Sequence, residues 1–109
     1  MNGIAQTPNP PHFAVIFTFA RADDNTGYAA KAEELTRFAA YQPGYLGMED
    51  IGAEFGATIS YRQSLEAIQN WQQNERHLDA KRLGKSEWYQ SYRTKICRVE
   101  HDYESTKSE

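Results

Sequence analysis

The sequence predicts an α+β fold of the ferredoxin-like kind: a four-stranded antiparallel sheet with two helices on one face. Three observations lead there. Runs of β-branched and aromatic residues alternate with two stretches of helical period, in the order βαββαβ. Pro43-Gly44 and the glycine-rich segment 52–56 fall where a helix must stop and a hairpin must turn. The 109 residues suffice for one domain and no more.

Each element has its own warrant. Thr7-Pro8-Asn9-Pro10-Pro11 cannot be helical, so residues 1–11 form an extended lead-in to a single domain at 12–103. Over residues 12–20, Phe13, Val15, Phe17 and Phe19 point one way, and Ala14, Ile16 and Thr18 the other. Both faces are largely apolar, which predicts a central strand covered on both sides. A polar loop over 21–26 follows, with Asp24, Asn25 or Thr26 as a helix N-cap. The stripe Tyr28, Ala32, Leu35 and Ala39, with Phe38 beside it, then predicts a helix over 28–41.

Residues 45–51 and 57–62 read as a hairpin, with Ala57, Ile59 and Tyr61 on one face. Ser64 caps a second helix, with Glu66 in its first turn. Leu65, Ile68, Trp71 and Leu78 can share its apolar face, and the pattern fades near Gly84. A short helical turn at 86–90 is expected before a last strand at 92–103, and 104–109 is a polar tail.

Composition sharpens the picture. The chain is 39% hydrophobic and 25% charged, so it should fold. Its mean hydropathy is nevertheless -0.80, because the apolar surface is concentrated in aromatics. A core built that way is thin, and apolar residues on both sheet faces predict a symmetric homodimer through the face without helices. The net charge of -3 lacks the basic balance of a nucleic-acid binder. No apolar run approaches a membrane span, and the N-terminus has no signal-peptide pattern, so a reducing cytoplasm is the default location. The single cysteine, Cys97, forms no intramolecular disulfide, and its mid-strand position predicts a buried, inert thiol.

Residues with chemical potential are few. There is no phosphate loop, nucleophile elbow or paired-histidine metal helix, and His12, His77 and His101 fit no metal spacing. His77 lies near Trp71, in the segment that pairs aromatic and titratable groups. Six residues of helix turn the direction by about 240°, so the two converge only if the helix breaks, with Asn74 the expected place. Trp71 is either a core anchor or the wall of an aromatic-substrate pocket. Tyr61 and Arg93, at the ends of their strands, are expected at the cleft mouth, where a guanidinium suits an enolate or carboxylate. Trp88, Tyr89 and Tyr92 read as core or dimer packing.

The run Gln42-Pro43-Gly44-Tyr45-Leu46-Gly47, the motif Ser64-Leu65-Glu66-Ala67, Trp71 followed by His77, and the closing segment 92–100 resemble the antibiotic biosynthesis monooxygenase family. The resemblance spans about residues 11–103. It implies a dimeric α+β barrel and, for the cofactor-independent members, oxidation of an electron-rich phenolic or quinol-type molecule by dioxygen. On that resemblance Trp71 matches the family's helix tryptophan, with Asn70 and Asn74 as neighbours. His77 and Trp71 are then the catalytic candidates, with Tyr61, Asn74 and Arg93 binding substrate. No cofactor is implied for this type. A non-catalytic small-molecule-binding dimer is one alternative. A heme-binding or heme-degrading protein is the other, but that subgroup's axial histidine falls about three turns beyond the tryptophan, where this chain has Lys81-Arg82.

Overall fold

In the computed structural model, β1 (His12–Arg21) lies between β3 (Phe55–Arg62) and β4 (Tyr89–Val99), and β2 (Tyr45–Gly52) pairs with β3. The sheet order is β2-β3-β1-β4, with every neighbouring pair antiparallel. Helices α1 (Tyr28–Ala40) and α2 (Leu65–Ala80) complete the βαββαβ order. Residues 3–22, 27–80, 88–105 and 107 are described, without the side chains of Lys31 and residues 75–80. The ferredoxin-like expectation holds.

Register sorts the side chains. Phe13 pairs with Arg62 and Arg98, Val15 with Ser60 and Ile96, and Phe17 with Thr58 and Thr94. Directly opposed residues point to the same side, so these form one face, and it is the face under the helices. The opposite face carries Ala14, Ile16 and Thr18 with Tyr61, Ile59 and Ala57.

Two irregularities alter this alternation. One lies between Tyr45 and Gly47 in β2, the other where β4 meets Ala20 and Arg21. Each inserts one residue, Leu46 or Gln90, and so turns Tyr45 or Tyr89 toward the helices.

The last strand starts earlier than expected. Tyr89 and Gln90 belong to β4 rather than to a helical turn, because Tyr89 still finds a partner in Arg21; residues 86 and 87 lie outside the described set. The strand ends at Val99 instead of reaching 103, because its partner β1 begins at His12 and offers nothing to pair beyond that point.

Two glycines fix the helix positions. Gly27, with φ 82°, occupies the N-cap of α1 and supplies no side-chain cap; the expected caps at 24–26 lie outside the described residues. Gly44, with φ 84°, lies under α2: a Cβ there would stand 2.6 Å from Cβ of Ala67. The Ser64 cap forms as expected, its Oγ accepting the Ala67 N–H at 3.1 Å. Among the described side chains of α2, Ala67 and Ile68 are the buried apolar ones and Leu65, at its first position, is exposed; Leu78 of the expected apolar face lies outside the described side chains.

The lead-in crosses the helix-free face over β2. The Ala5 N–H donates to Glu49 Oε2 at 3.0 Å, and the Tyr61 hydroxyl donates to Glu49 Oε1 at 2.7 Å. Gly47 permits this crossing, since a Cβ there would come within 3.0 Å of Cβ of Ala5. His12 is buried at the same end, edge-on to Tyr61 at 5.9 Å. Cys97 is exposed, against the expectation of a buried thiol, because β4 is an edge strand and its side of the sheet has no helix above it.

Candidate functional site

The middle of the helix-side face is built from short side chains. Val15, Thr58, Ser60 and Thr94 lie side by side there, with larger aromatics at either end. The helices above are tied to each other by Phe38 and Trp71, whose rings are 5.7 Å apart. They do not cover β4, whose Tyr92 and Ile96 remain about half exposed. A low floor under a braced roof leaves a cavity of about 780 Å³, lined by residues of the sheet and of both helices. That is within the ~300–1,000 Å³ range of small-molecule sites.

Its walls are aromatic. At one end Phe17 contacts Phe19, Tyr89 and Tyr92 at ring separations of 5.7, 5.2 and 5.1 Å. Tyr28 closes this cluster from α1, 5.5 Å from Trp88 and 5.7 Å from Tyr89. The hydroxyl of Tyr89 donates to that of Tyr28 at 3.0 Å. Arg21 lies over the Tyr28 ring, its guanidinium carbon 4.0 Å from the centroid.

Toward the other end lies a second cation. Arg62 is fully buried, 5.1 Å from the ring centroids of both Tyr45 and Trp71. Its Nε donates to Ser60 Oγ at 2.9 Å. Burial pushes the Tyr45 phenol above its ordinary range; the charge of Arg62 works against that shift and Asp50 adds to it. Asp50 lines the cavity at the β2 edge and accepts from the Thr58 hydroxyl at 2.9 Å.

The structure separates the residues that sequence reasoning grouped. Trp71 lines the cavity. Asn74 is exposed on α2, and its Nδ2 donates to Gln42 Oε1 at 3.1 Å, so it braces the second helix against the end of the first. Tyr61 and Arg93 lie on the opposite sheet face, the latter paired in register with Thr18. Strand alternation removes both from the cleft mouth. Tyr61 is instead committed to Glu49, and burial together with that hydrogen bond and charge raises its pKa to about 12.

The His77 side chain lies outside the described set. Helix α2 nevertheless runs unbroken through Asn74, so the break needed to align His77 with Trp71 does not occur. Among the described residues, no three His, Cys, Asp or Glu side chains converge as metal ligands. Also among them, no helix is long and apolar enough to cross a membrane.

Two helix-side arginines were missed from sequence: Arg21, which lines the cavity, and Arg62, buried behind Ser60 and Trp71. Both were open to discovery by parity. Arg21 continues the series Phe17, Phe19, and Arg62 continues Thr58, Ser60, so each must face the helices.

Fold and site together define a ferredoxin-like α+β protein with an aromatic cavity between its helices and its sheet. No family model matches the chain. It is 39% identical over 102 residues to the uncharacterized protein YqjZ of Bacillus subtilis, a match covering 92% of this chain and 90% of that protein. The chain belongs to the same family as YqjZ. A crystal structure of PA3566 from Pseudomonas aeruginosa superposes with a TM-score of 0.65 at 17% identity, covering 93% of this chain and all of that one. That likeness concerns the fold.

Proposed function

We propose that the chain is a cofactor-independent monooxygenase of aromatic or quinol-type small molecules, acting in the cavity beside Trp71. The observation that carries this reading is the cavity itself: about 780 Å³ with aromatic walls and hydroxyl side chains in its floor. A planar aromatic fits such walls by stacking and edge-to-face contact. The resemblance to antibiotic biosynthesis monooxygenases supports the same chemistry.

The reaction needs little from the protein beyond binding and electrostatics. A substrate with an acidic aromatic methylene loses one proton, and its anion gives an electron to dioxygen. The resulting radicals join through a new C–O bond to give a hydroperoxide. Cleavage of the O–O bond, with loss of the second C–H proton, releases water and leaves a carbonyl. All the electrons that reduce dioxygen come from the substrate, so no external reductant enters. The cavity must hold the anion, orient it, and keep bulk water away.

Oxygen uptake tests this. Protein stripped of metal and flavin should consume dioxygen in the presence of an anthrone or quinol, faster than the substrate does alone. Trp71→Phe should slow that uptake with the fold intact, and His77→Ala tests the second catalytic candidate. Binding of the same molecules without uptake would leave the chain as a small-molecule-binding protein.

We also infer that the helix-free sheet face pairs with a second copy. Ile51 and Phe55 are 57% and 74% exposed at one end of that face, and the exposed Cys97 lies on it farther along. Exposed apolar residues on one sheet face are what a second copy would cover. Sedimentation at micromolar concentration should give a dimer; a monomer alone would contradict it.

A further inference from the structure

We propose that Arg21 anchors an oxyanion on the aromatic ligand, so that the cavity selects aromatic carboxylates or phenolates over neutral rings. The inference deepens the reading above and rests on the same cavity, but it requires no chemistry to occur there.

Four observations converge on Arg21. Strand alternation places it at the end of the aromatic wall, beyond Phe17 and Phe19, where it lines the cavity. Its guanidinium lies against the Tyr28 ring at 4.0 Å, with Phe19 at 6.0 Å. Its Nε is buried and has no hydrogen-bond partner. No ion pair joins Arg21 to another described residue, and the first turn of α1 beside it carries no acidic side chain.

A part-buried guanidinium usually has a carboxylate, because its donors lose water without gaining acceptors. Here an aromatic face compensates the charge in part. With Nε buried, the Nη groups are the donors left to meet a planar oxyanion in the cavity. The Tyr28 hydroxyl already accepts from Tyr89, so its own hydrogen can be donated to the same ligand oxygen. Phe17, Phe19 and Tyr92 then supply the apolar surface for the attached ring.

A matched pair of probes tests the charge requirement. 2-Naphthoate and 2-naphthamide share shape and differ in charge, and their binding is measured by calorimetry. The native chain should bind the carboxylate about tenfold or more tightly than the amide, the worth of a charged hydrogen bond over a neutral one. Arg21→Met should abolish that preference, the carboxylate losing about tenfold more affinity than the amide. Arg21→Lys, which keeps the charge without the fork, should retain part of it. 4-Nitrophenolate, compared with nitrobenzene, asks whether a phenolate is taken as well as a carboxylate.

Equal binding of naphthoate and naphthamide by the native chain would overturn the proposal. So would a preference that survives in Arg21→Met, or no binding of either probe. Should Arg21→Met fail to fold, Arg21→Gln supplies the neutral variant. A charge preference lost with Arg21, without oxygen uptake on any substrate, would uphold this proposal and retire the monooxygenase reading.

Discussion

Gly44→Ala should damage the fold far more than its single added methyl implies. The native φ of 84° is unfavourable for any residue with a Cβ, at a cost of about 1–2 kcal/mol. The new Cβ would also stand 2.6 Å from Cβ of Ala67, which must be relieved by moving the helix or the turn. Overpacking of that kind costs about 1–3 kcal/mol. Together the two effects predict a loss of about 2–5 kcal/mol, against a total stability of roughly 5–15 kcal/mol for a natural domain. In a thermal melt followed by circular dichroism, the midpoint should fall by at least about 8 °C.

Ala67→Gly separates the two contributions. Alone it should cost about 1 kcal/mol in helix propensity. Placed on Gly44→Ala it removes the clash but not the backbone strain, so the pair should show a favourable coupling of about 1 kcal/mol or more. A midpoint loss under about 3 °C, or strictly additive effects, would refute the contact as the basis of the Pro43-Gly44 motif.

Two further predictions concern the opposite face. Tyr61 should ionise near pH 12, seen as the ultraviolet difference between the native chain and Tyr61→Phe; Glu49→Gln should bring that ionisation down. Because its folded pKa lies above the ordinary value of 10.0, Tyr61 stabilises the fold below about pH 10, and that contribution is lost as pH rises toward 12. Two units correspond to about 2.7 kcal/mol, which screening at this part-buried site reduces to about 1–2 kcal/mol. Cys97 should react quickly with a thiol reagent in dilute protein and more slowly as concentration drives dimer formation. A rate unchanged across that range would move the dimer interface away from this face.

The fold was legible because each element announces itself locally. The Pro43-Gly44 stop, the Ser64 cap and the alternation of Phe13 to Phe19 are decided by neighbours in sequence. The motifs that resemble a known family have the same origin. Gly44 abuts Ala67, the fourth residue of Ser64-Leu65-Glu66-Ala67, so the two motifs form the joint between β2 and α2. They specify architecture more than chemistry.

The site was harder to read because it depends on register and on what is left uncovered. Tyr61 and Arg62 are adjacent in sequence, and only strand pairing sends the arginine to the helix side and the tyrosine to the far face. Tyr45 and Tyr89 turn to the helix side through irregular insertions that alternation alone does not reveal, and Tyr89 there lines the cavity. Cys97 was assigned to the interior because its strand was recognised but its place at the sheet edge was not.

Under these proposals the two faces of the sheet have different work, the helix side to bind an aromatic molecule and the other to meet a second copy. Amide chemical-shift mapping with an aromatic quinol under anaerobic conditions tests that division most directly. Shifts concentrated at Phe17, Phe19, Thr58, Trp71 and Thr94, and weakened in a variant with a bulkier floor such as Thr94→Trp, are the predicted result. Shifts concentrated at Ala14, Ile59 and Cys97 would put the ligand on the opposite face and contradict the account.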